Sequence, residues 1–449
     1  MSLMDVARGA YVRSPTFLRR GLAPLVSLVP TGLKFGRTYK HWRKRIARAH
    51  ASSPFYRDML DKALGAGFDL SRFELADLER LPILRKEEMR AAGDGALTVP
   101  RATADRGDTS GSNGEKPFSF YLDKDRSARE MAFVYDNWSR VGFTESTPKA
   151  VLRGFGLDPK GMYITEWEPA LRELRLSVFP MSPEDVGHYL DLIDQHKIRY
   201  LYGYPSAMEL MARHMCRIGR QPKLPLKGIM PISEPLYPHQ RRCITEVFGP
   251  VPFANFYGLS EKVLFAREID NEGRYEFEPL YGVAELVDED GIRITEPGRE
   301  GRLIGTSLTS KAMPFFRYDT EDRATLVALP SDANGQRLRV ERLIPRRKPD
   351  FLVSATGNRV VTIDFTPENP RYFQGIEEYQ FYQDRPGYCT IRYIPTEDGT
   401  EQDALRVATG LGERAHSQII LNAVKVDRLA GGRAGKRAFI DQRLDISKY

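Results

Sequence analysis

Cysteine is scarce in this chain: Cys216, Cys243 and Cys389 are the only three in 449 residues, far apart and with no CxxC spacing. That excludes a disulfide framework and a cysteine-built zinc centre, and it points to a reducing, cytoplasmic setting. Histidine is sparse too, with seven residues and no HxxxH pair; His188, His196 and His239 read as structural. Long apolar runs are missing. The stretch from Gly21 to Gly36 is interrupted by Pro24 and Pro30, so it is too short to span a bilayer, and it has no small-residue cleavage site of a signal peptide. Repeats and low-complexity tracts are absent. So is the Walker pattern, because Glu115 separates Gly114 from Lys116, and Gly435-Lys436 is followed by Arg437.

What is present is the composition of a globular protein, 41% hydrophobic and 28% charged. The length exceeds one ordinary core and predicts a large domain plus a smaller one. Charge is concentrated locally. The first fifty residues hold eleven Lys and Arg against Asp5, a balance of +10 that leaves −3 of the formal +7 for the rest. A solvated basic helix around Lys40 to Ala51 accounts for this. Docking of an acidic carrier protein, a phosphate group or an anionic membrane surface is the alternative. Nucleic acid is not expected, since no stacking aromatics or known motif accompany the patch.

Helical periodicity appears in Tyr39–Ala51, Arg126–Arg140, Glu184–His196 and Ser206–Ile218. Strand-like apolar runs come between them at Ala150–Leu152, Tyr200–Tyr202, Gly228–Met230 and Val251–Ala254. This alternation predicts βα units and a mostly parallel sheet. From Gly282 the texture changes to short strands with polar turns, at Val283–Val287, Ile292–Thr295, Gly301–Leu308, Arg323–Ala328 and Gln336–Arg342, hence a small β-subdomain. After Arg346 an α+β pattern follows: strands at Tyr379–Gln383, Cys389–Ile394 and Ile419–Val426, and a helix at Gln402–Leu411.

The run Asp108-Thr109-Ser110-Gly111-Ser112-Asn113-Gly114-Glu115-Lys116-Pro117 joins glycines, which let a backbone approach an anion, to hydroxyls that can surround phosphate oxygens. It resembles the phosphate-binding loop of the adenylate-forming enzymes, the superfamily of acyl-CoA synthetases, peptide-synthetase adenylation domains and luciferases. Further segments follow in that family's order: Asn255-Phe256-Tyr257-Gly258-Leu259-Ser260-Glu261, Arg317-Tyr318-Asp319-Thr320-Glu321-Asp322, Arg347-Lys348-Pro349-Asp350 with Gly357-Asn358-Arg359-Val360, and Gly435-Lys436. Ser53-Pro54-Phe55-Tyr56-Arg57, Leu81 to Lys86, Gly203-Tyr204-Pro205-Ser206 and Ala312 to Tyr318 are similar to the phenylacetate-CoA ligase group, and within it to the CapK-like proteins.

The resemblance implies an N-terminal AMP-binding domain over 1–346, with mostly parallel sheets and a small β-subdomain, and a mobile α+β C-terminal domain over 347–449. It implies ATP and Mg2+ as cofactors and a small carboxylic acid as substrate, adenylated to an acyl-AMP and passed to CoA or to the phosphopantetheine thiol of an acyl carrier protein. Thr109, Ser110, Gly111, Ser112, Asn113, Gly114 and Lys116 would bind phosphates, with Glu115 the rival of Lys116. Tyr257, Gly258, Ser260, Asp322 and Arg347 would bind the nucleotide, Tyr257 against adenine and Asp322 through the ribose hydroxyls. Glu261 would hold the metal, Lys436 would meet substrate carboxylate and α-phosphate, and Asp350 would be the hinge. The acyl pocket would draw on Tyr204, Met230, Ile232, Ser233, Ala254 and Phe256, a mixture that suits an aryl or medium-sized acid. Two departures remove backbone freedom: Glu321 and Arg346 stand where the family has glycine. Two other outcomes stay open, a nucleotidyltransferase that stops at the AMP conjugate and a non-catalytic nucleotide-binding partner.

Overall fold

Apolar stripes at helical spacing alternate with short extended runs, and the computed structural model folds them into helices packed on several sheets, the α/β class that the sequence implies. The structure describes residues 31–108, 118–153, 164–178, 181–344, 351–361, 370–415, 417–429 and 440–446. The backbone divides into two units. One comprises Met1–Gly107, Ser119–Arg140 and Ala254–Arg346; the other comprises Asp108–Phe118, Val141–Phe253 and Arg347–Tyr449.

In the first unit the basic stretch forms helix α1 (Thr31–Ser52), followed by α2 (Pro54–Leu64), which Ser53 caps by accepting from Tyr56 N. Trp42, Ile46 and Ala49 are buried along one stripe of α1. Its arginines serve the fold: Arg43 Nε donates to Phe73 O at 2.7 Å, and Arg45 donates to Leu308 O. Lys44 and Arg48 face solvent. Helix α3 spans Arg126–Ser139.

The second unit holds the predicted βα units. Its five-stranded sheet is built from β1 (Lys149–Leu152), β2 (Thr165–Glu168), β3 (Glu173–Leu176), β4 (Tyr200–Gly203) and β5 (Gly228–Pro231), in the order β2-β3-β1-β4-β5. β1 runs parallel to β3 and β4, and β4 to β5; β2 is antiparallel to β3. Helices α4 (Pro183–Gln195), α5 (Pro205–Ile218) and α6 (Pro238–Phe248) each begin on a proline, whose fixed φ and missing N–H suit the first turn. One core gathers Ala150, Leu152, Leu201 and Ile229 of the strands with Tyr189, Met208 and Ile244 of the helices.

The predicted β-subdomain is a seven-stranded antiparallel sheet in the first unit. Its strands are β6 (Phe256–Gly258), β7 (Phe265–Glu268), β8 (Tyr275–Phe277), β9 (Gly282–Val287), β10 (Glu300–Ser307), β11 (Tyr318–Ala328) and β12 (Arg339–Ile344), in the order β9-β10-β11-β12-β8-β7-β6. Two predicted strands do not form. In Val251–Ala254, Pro252 lacks a ladder donor and Phe253 makes only an isolated bridge to Ile229. Ile292–Thr295 follows a tight turn at Asp288–Ile292 and contributes a single bridge, Arg293 to Val287. Near the C-terminus, β13 (Ile376–Arg385), β14 (Tyr388–Pro395), β15 (Ile420–Lys425) and β16 (Ile440–Gln442) form a sheet in the order β15-β14-β13-β16. Its core includes Phe381, Ile391, Val407 and Leu411, the last two from helix α7 (Glu401–Arg414). Among the described residues no helix is long and apolar enough to cross a membrane.

Candidate active site

Tyr257 lies mid-strand in β6, opposite Ala266 of β7, and Asp322 lies within β11 rather than in a turn. Three strands stand between β6 and β11 in sheet order, which in a flat sheet is about 19 Å at the usual strand spacing. The Tyr257 hydroxyl nevertheless donates to Asp322 Oδ2 at 2.6 Å, so the sheet curls to bring its two flanks together. Burial, then the Asp322 carboxylate, push the Tyr257 phenol well above its usual pKa of 10 and keep it a donor.

A second phenol–carboxylate pair runs the other way. Glu261 is buried in the turn that follows β6, closed by Lys262 N donating to Leu259 O at 3.1 Å. Tyr318, at the start of β11, donates its hydroxyl to Glu261 Oε1 at 3.1 Å. Each flank thus supplies a tyrosine that orients the other's carboxylate. Lys262 is held away by Glu130 of α3, Nζ to Oε1 at 3.1 Å, and Tyr281 bonds the other oxygen of that carboxylate. Gly258 and Ser260 are exposed on either side of Leu259. Magnesium is commonly held by one or two carboxylates, with water and substrate phosphates completing its shell. Glu261 fits that role, since the described structure engages only its Oε1; among the described residues no cluster of three acidic, His or Cys side chains offers a complete cage.

The second unit presents the other group. Leu152, Gly203 and Pro231 are paired neighbours at the carboxyl ends of β1, β4 and β5, where α/β sheets take ligands. Gly203 is required there. Its φ is +157°, and a Cβ would lie 2.1 Å from Leu152 O. Beyond it, Tyr204 N donates to Leu152 O at 2.9 Å and Ile232 N to Gly203 O at 3.0 Å. Met230 is buried and Ser233 exposed.

Glu234, in the turn that carries Ile232 and Ser233, bonds α5: Ser206 N donates to Oε2 at 3.0 Å and Ser206 Oγ to Oε1 at 2.9 Å. Burial outweighs those bonds and raises its pKa to about 7. Ala254 and Phe256 belong to the first unit. Asn137 Nδ2 donates to Ala254 O at 2.9 Å, and Phe256 stacks on Phe265 with centroids 5.0 Å apart. Glu234 and Tyr318 are not among the expected site residues; Tyr318 stands inside the Arg317–Asp322 motif, whereas Glu234 only follows the expected pocket residues Ile232 and Ser233. The loop residues Thr109, Ser110, Gly111, Ser112, Asn113, Gly114 and Lys116, together with Arg347, Asp350 and Lys436, lie outside the described residues.

No protein-family profile matches the chain. Among curated proteins it is similar to Protein CapK of Staphylococcus aureus, 23% identical over 359 residues that cover 79% of this chain and 77% of that protein. It is also similar to phenylacetate-coenzyme A ligases of Thermus thermophilus, 28% identical over 62% of this chain and 63% of that enzyme, and of Aromatoleum evansii, 26% identical over 80% and 81%. The chain is thus similar to phenylacetate-coenzyme A ligases and to CapK, the group that its motifs resemble. Its fold agrees: a crystal structure of 2-hydroxyisobutyryl-CoA ligase in complex with 2-HIB-AMP and CoA superposes with a TM-score of 0.57 at 18% identity, over 94% of this chain and 92% of that one.

Against the motif that it resembles, the chain departs at Glu321, and the departure has a structural consequence. Glu321 keeps a left-handed backbone, φ 62°, where a glycine would be unstrained. Lys86 Nζ lies 3.6 Å from its carboxylate. The acidic partner survives the substitution: Asp322 N donates to Thr320 Oγ1 at 3.2 Å, and Thr320 Oγ1 donates to Leu303 O at 2.7 Å.

Proposed function

We infer that this chain is an ATP-dependent acid–thiol ligase, which adenylates a carboxylic acid and transfers the acyl group to CoA. The observation that carries this reading is the pair of crossed bonds, Tyr257 to Asp322 and Tyr318 to Glu261, which joins two motifs some sixty residues apart in sequence into one buried polar cluster. The relatives named as phenylacetate-coenzyme A ligases support the same chemistry.

A carboxylate does not react with a thiol at neutral pH. In the first half-reaction a carboxylate oxygen attacks the α-phosphorus of ATP and the bond to pyrophosphate breaks, leaving a mixed anhydride. In the second, a thiolate attacks the acyl carbon and AMP leaves. Such steps depend on placing charge where charge develops. Asp322, with one oxygen already bonded by Tyr257, turns its remaining acceptor capacity to the ribose hydroxyls. Glu261, oriented by Tyr318, would hold magnesium, which would supply positive charge against the phosphates. By resemblance, Lys436 would meet the carboxylate and the α-phosphate, the 109–117 run would cradle the phosphates, Arg347 would bind the nucleotide, and residues 347–449 would be a domain that turns about Asp350 between the half-reactions. An aryl or medium-sized acid, a carrier-protein thiol as a second acceptor and docking of that carrier at the exposed Lys44 and Arg48 extend the reading.

Pyrophosphate exchange with ATP, magnesium and a broad acid panel tests it, with Glu261→Gln and Lys436→Ala as controls. Exchange by the wild type that both variants lose is expected. Wild-type exchange at the level of the variants, with no ATP binding by calorimetry, would sink the adenylation reading. Exchange without any thiol-dependent product would replace the ligase by an enzyme that stops at the AMP conjugate.

A further inference from the structure

Arg153 directly follows Leu152, the last paired residue of β1, and belongs to none of the motifs above. Strand alternation puts it on the same face as Val151, and the parallel register sets Val151 beside Tyr202 and Met230. The opposite face, with Ala150, Leu152, Leu201 and Ile229, is the one sealed by helices. Arg153 therefore shares its face with Met230 and, two residues beyond Tyr202 and Met230, with Tyr204 and Ile232. Its contacts agree: Nη1 donates to the Tyr202 hydroxyl at 3.2 Å, the guanidinium carbon lies 5.6 Å from that ring's centroid, and the Tyr204 phenol also interacts with it.

Among the described residues this arrangement leaves the charge unanswered. A guanidinium is always protonated and offers five N–H donors, while a phenol answers one donor without neutralising anything. Among the described residues no carboxylate forms an ion pair with Arg153. Glu173, whose field reaches it, is bonded to Lys149 at 3.1 Å and to Arg175 at 3.6 Å. A half-buried guanidinium between two phenols is a fork shaped for a carboxylate or phosphate, which it binds bidentately. The substrate carboxylate that reacts is the one activated at phosphorus, so a cation among the acyl-pocket residues addresses a second group.

We propose that Arg153 determines specificity: the acid activated by this chain carries a second anionic group, carboxylate or phosphate, which Arg153 binds between Tyr202 and Tyr204. The proposal rests on the adenylation reading for what happens to that acid, and on the Arg153 geometry alone for what is recognised. Calorimetry with dicarboxylates of four to eight carbons, each against its monoamide, reads the recognition directly, and 3-phosphonopropionate separates phosphate from carboxylate. The wild type should bind the best dianion about 10- to 100-fold more tightly than its monoamide. Arg153→Met should level the two, and Arg153→Lys should keep part of the preference. A wild type that treats every dianion like its monoamide overturns the proposal without recourse to a variant, as does Arg153→Met that keeps the preference. Pyrophosphate exchange on the same panel distinguishes the two failures. Exchange indifferent to the second charge removes the Arg153 proposal and keeps adenylation, whereas Arg153-dependent binding without exchange keeps the anion site and removes adenylation.

Discussion

The antiparallel and the parallel sheet hold their candidate residues by opposite means. In β6–β12 buried side chains fix one another, Tyr257 on Asp322 and Tyr318 on Glu261. In β1–β5 the backbone does the fixing, through Tyr204 N on Leu152 O and Ile232 N on Gly203 O, and the side chains beyond the strand ends are free to differ. On the proposed reading the first group meets ribose and metal, which are the same for every substrate, and the second meets the acid, which is not. A fixed task suits a preorganised network; a variable one suits residues displayed on a rigid scaffold.

The contrast can be broken or sharpened, most strongly at Gly203. Gly203→Ala places a Cβ 2.1 Å from Leu152 O, and a cost of about 3–5 kcal/mol in urea denaturation is expected. A cost below about 1 kcal/mol would show that the strand ends yield, and that backbone does not set the acyl side. Next in size is Asp322→Ala, which removes a charge-assisted partner worth about 1.5–3 kcal/mol. ATP affinity should fall roughly ten- to hundred-fold by calorimetry, and unchanged affinity in a folded variant would take Asp322 out of the nucleotide site.

On the parallel side, Glu234 is a carboxylate held by hydrogen bonds, as the antiparallel side holds its own. Its folded pKa of about 7 lies above the ordinary 4.5. The native state therefore keeps the proton that the unfolded chain releases. This contribution to stability is full below pH 4.5, is lost as pH rises from 4.5 to 7, and does not return above 7. Partial exposure reduces the swing to about 1–2 kcal/mol. Melting temperatures across pH 4.5–8 should show the decline in the wild type and a flatter profile in Glu234→Gln; parallel profiles would remove Glu234 as the source. The smallest expected effect is at Glu321. Glu321→Gly relieves the left-handed backbone and should stabilise by about 0.5–1 kcal/mol, since the Lys86 contact at 3.6 Å offsets little. A loss of stability would mean that this pair holds the segment ahead of Asp322.

Much of this was legible in the chain. Three of the four predicted N-terminal helices lie within two residues of the observed bounds because their stripes are regular, and in two of them proline marks the start, at Ser182-Pro183 and Tyr204-Pro205. β6, β7 and β8 went unread because Phe256–Gly258, Phe265–Glu268 and Tyr275–Phe277 are three or four residues long, too short for a period-2 pattern to stand out. Glu234 and Arg153 carry no local signal, as a charged residue beside a turn is most often solvated.

The sequence by itself determined which residue types are available and in what order: Tyr257, Glu261 and Asp322 in recognisable settings, glycine at 203, and apolar runs, most of which become buried strands. Their periodicity is a local property, and local interactions suffice to express it. Only the tertiary structure decided that β6 and β11, three strands apart, curl until two tyrosines cross to two carboxylates, and that the register of β1, β4 and β5 sets Arg153 on the face of Met230. Curl and register depend on how whole sheets twist and pack, so no window of sequence contains them.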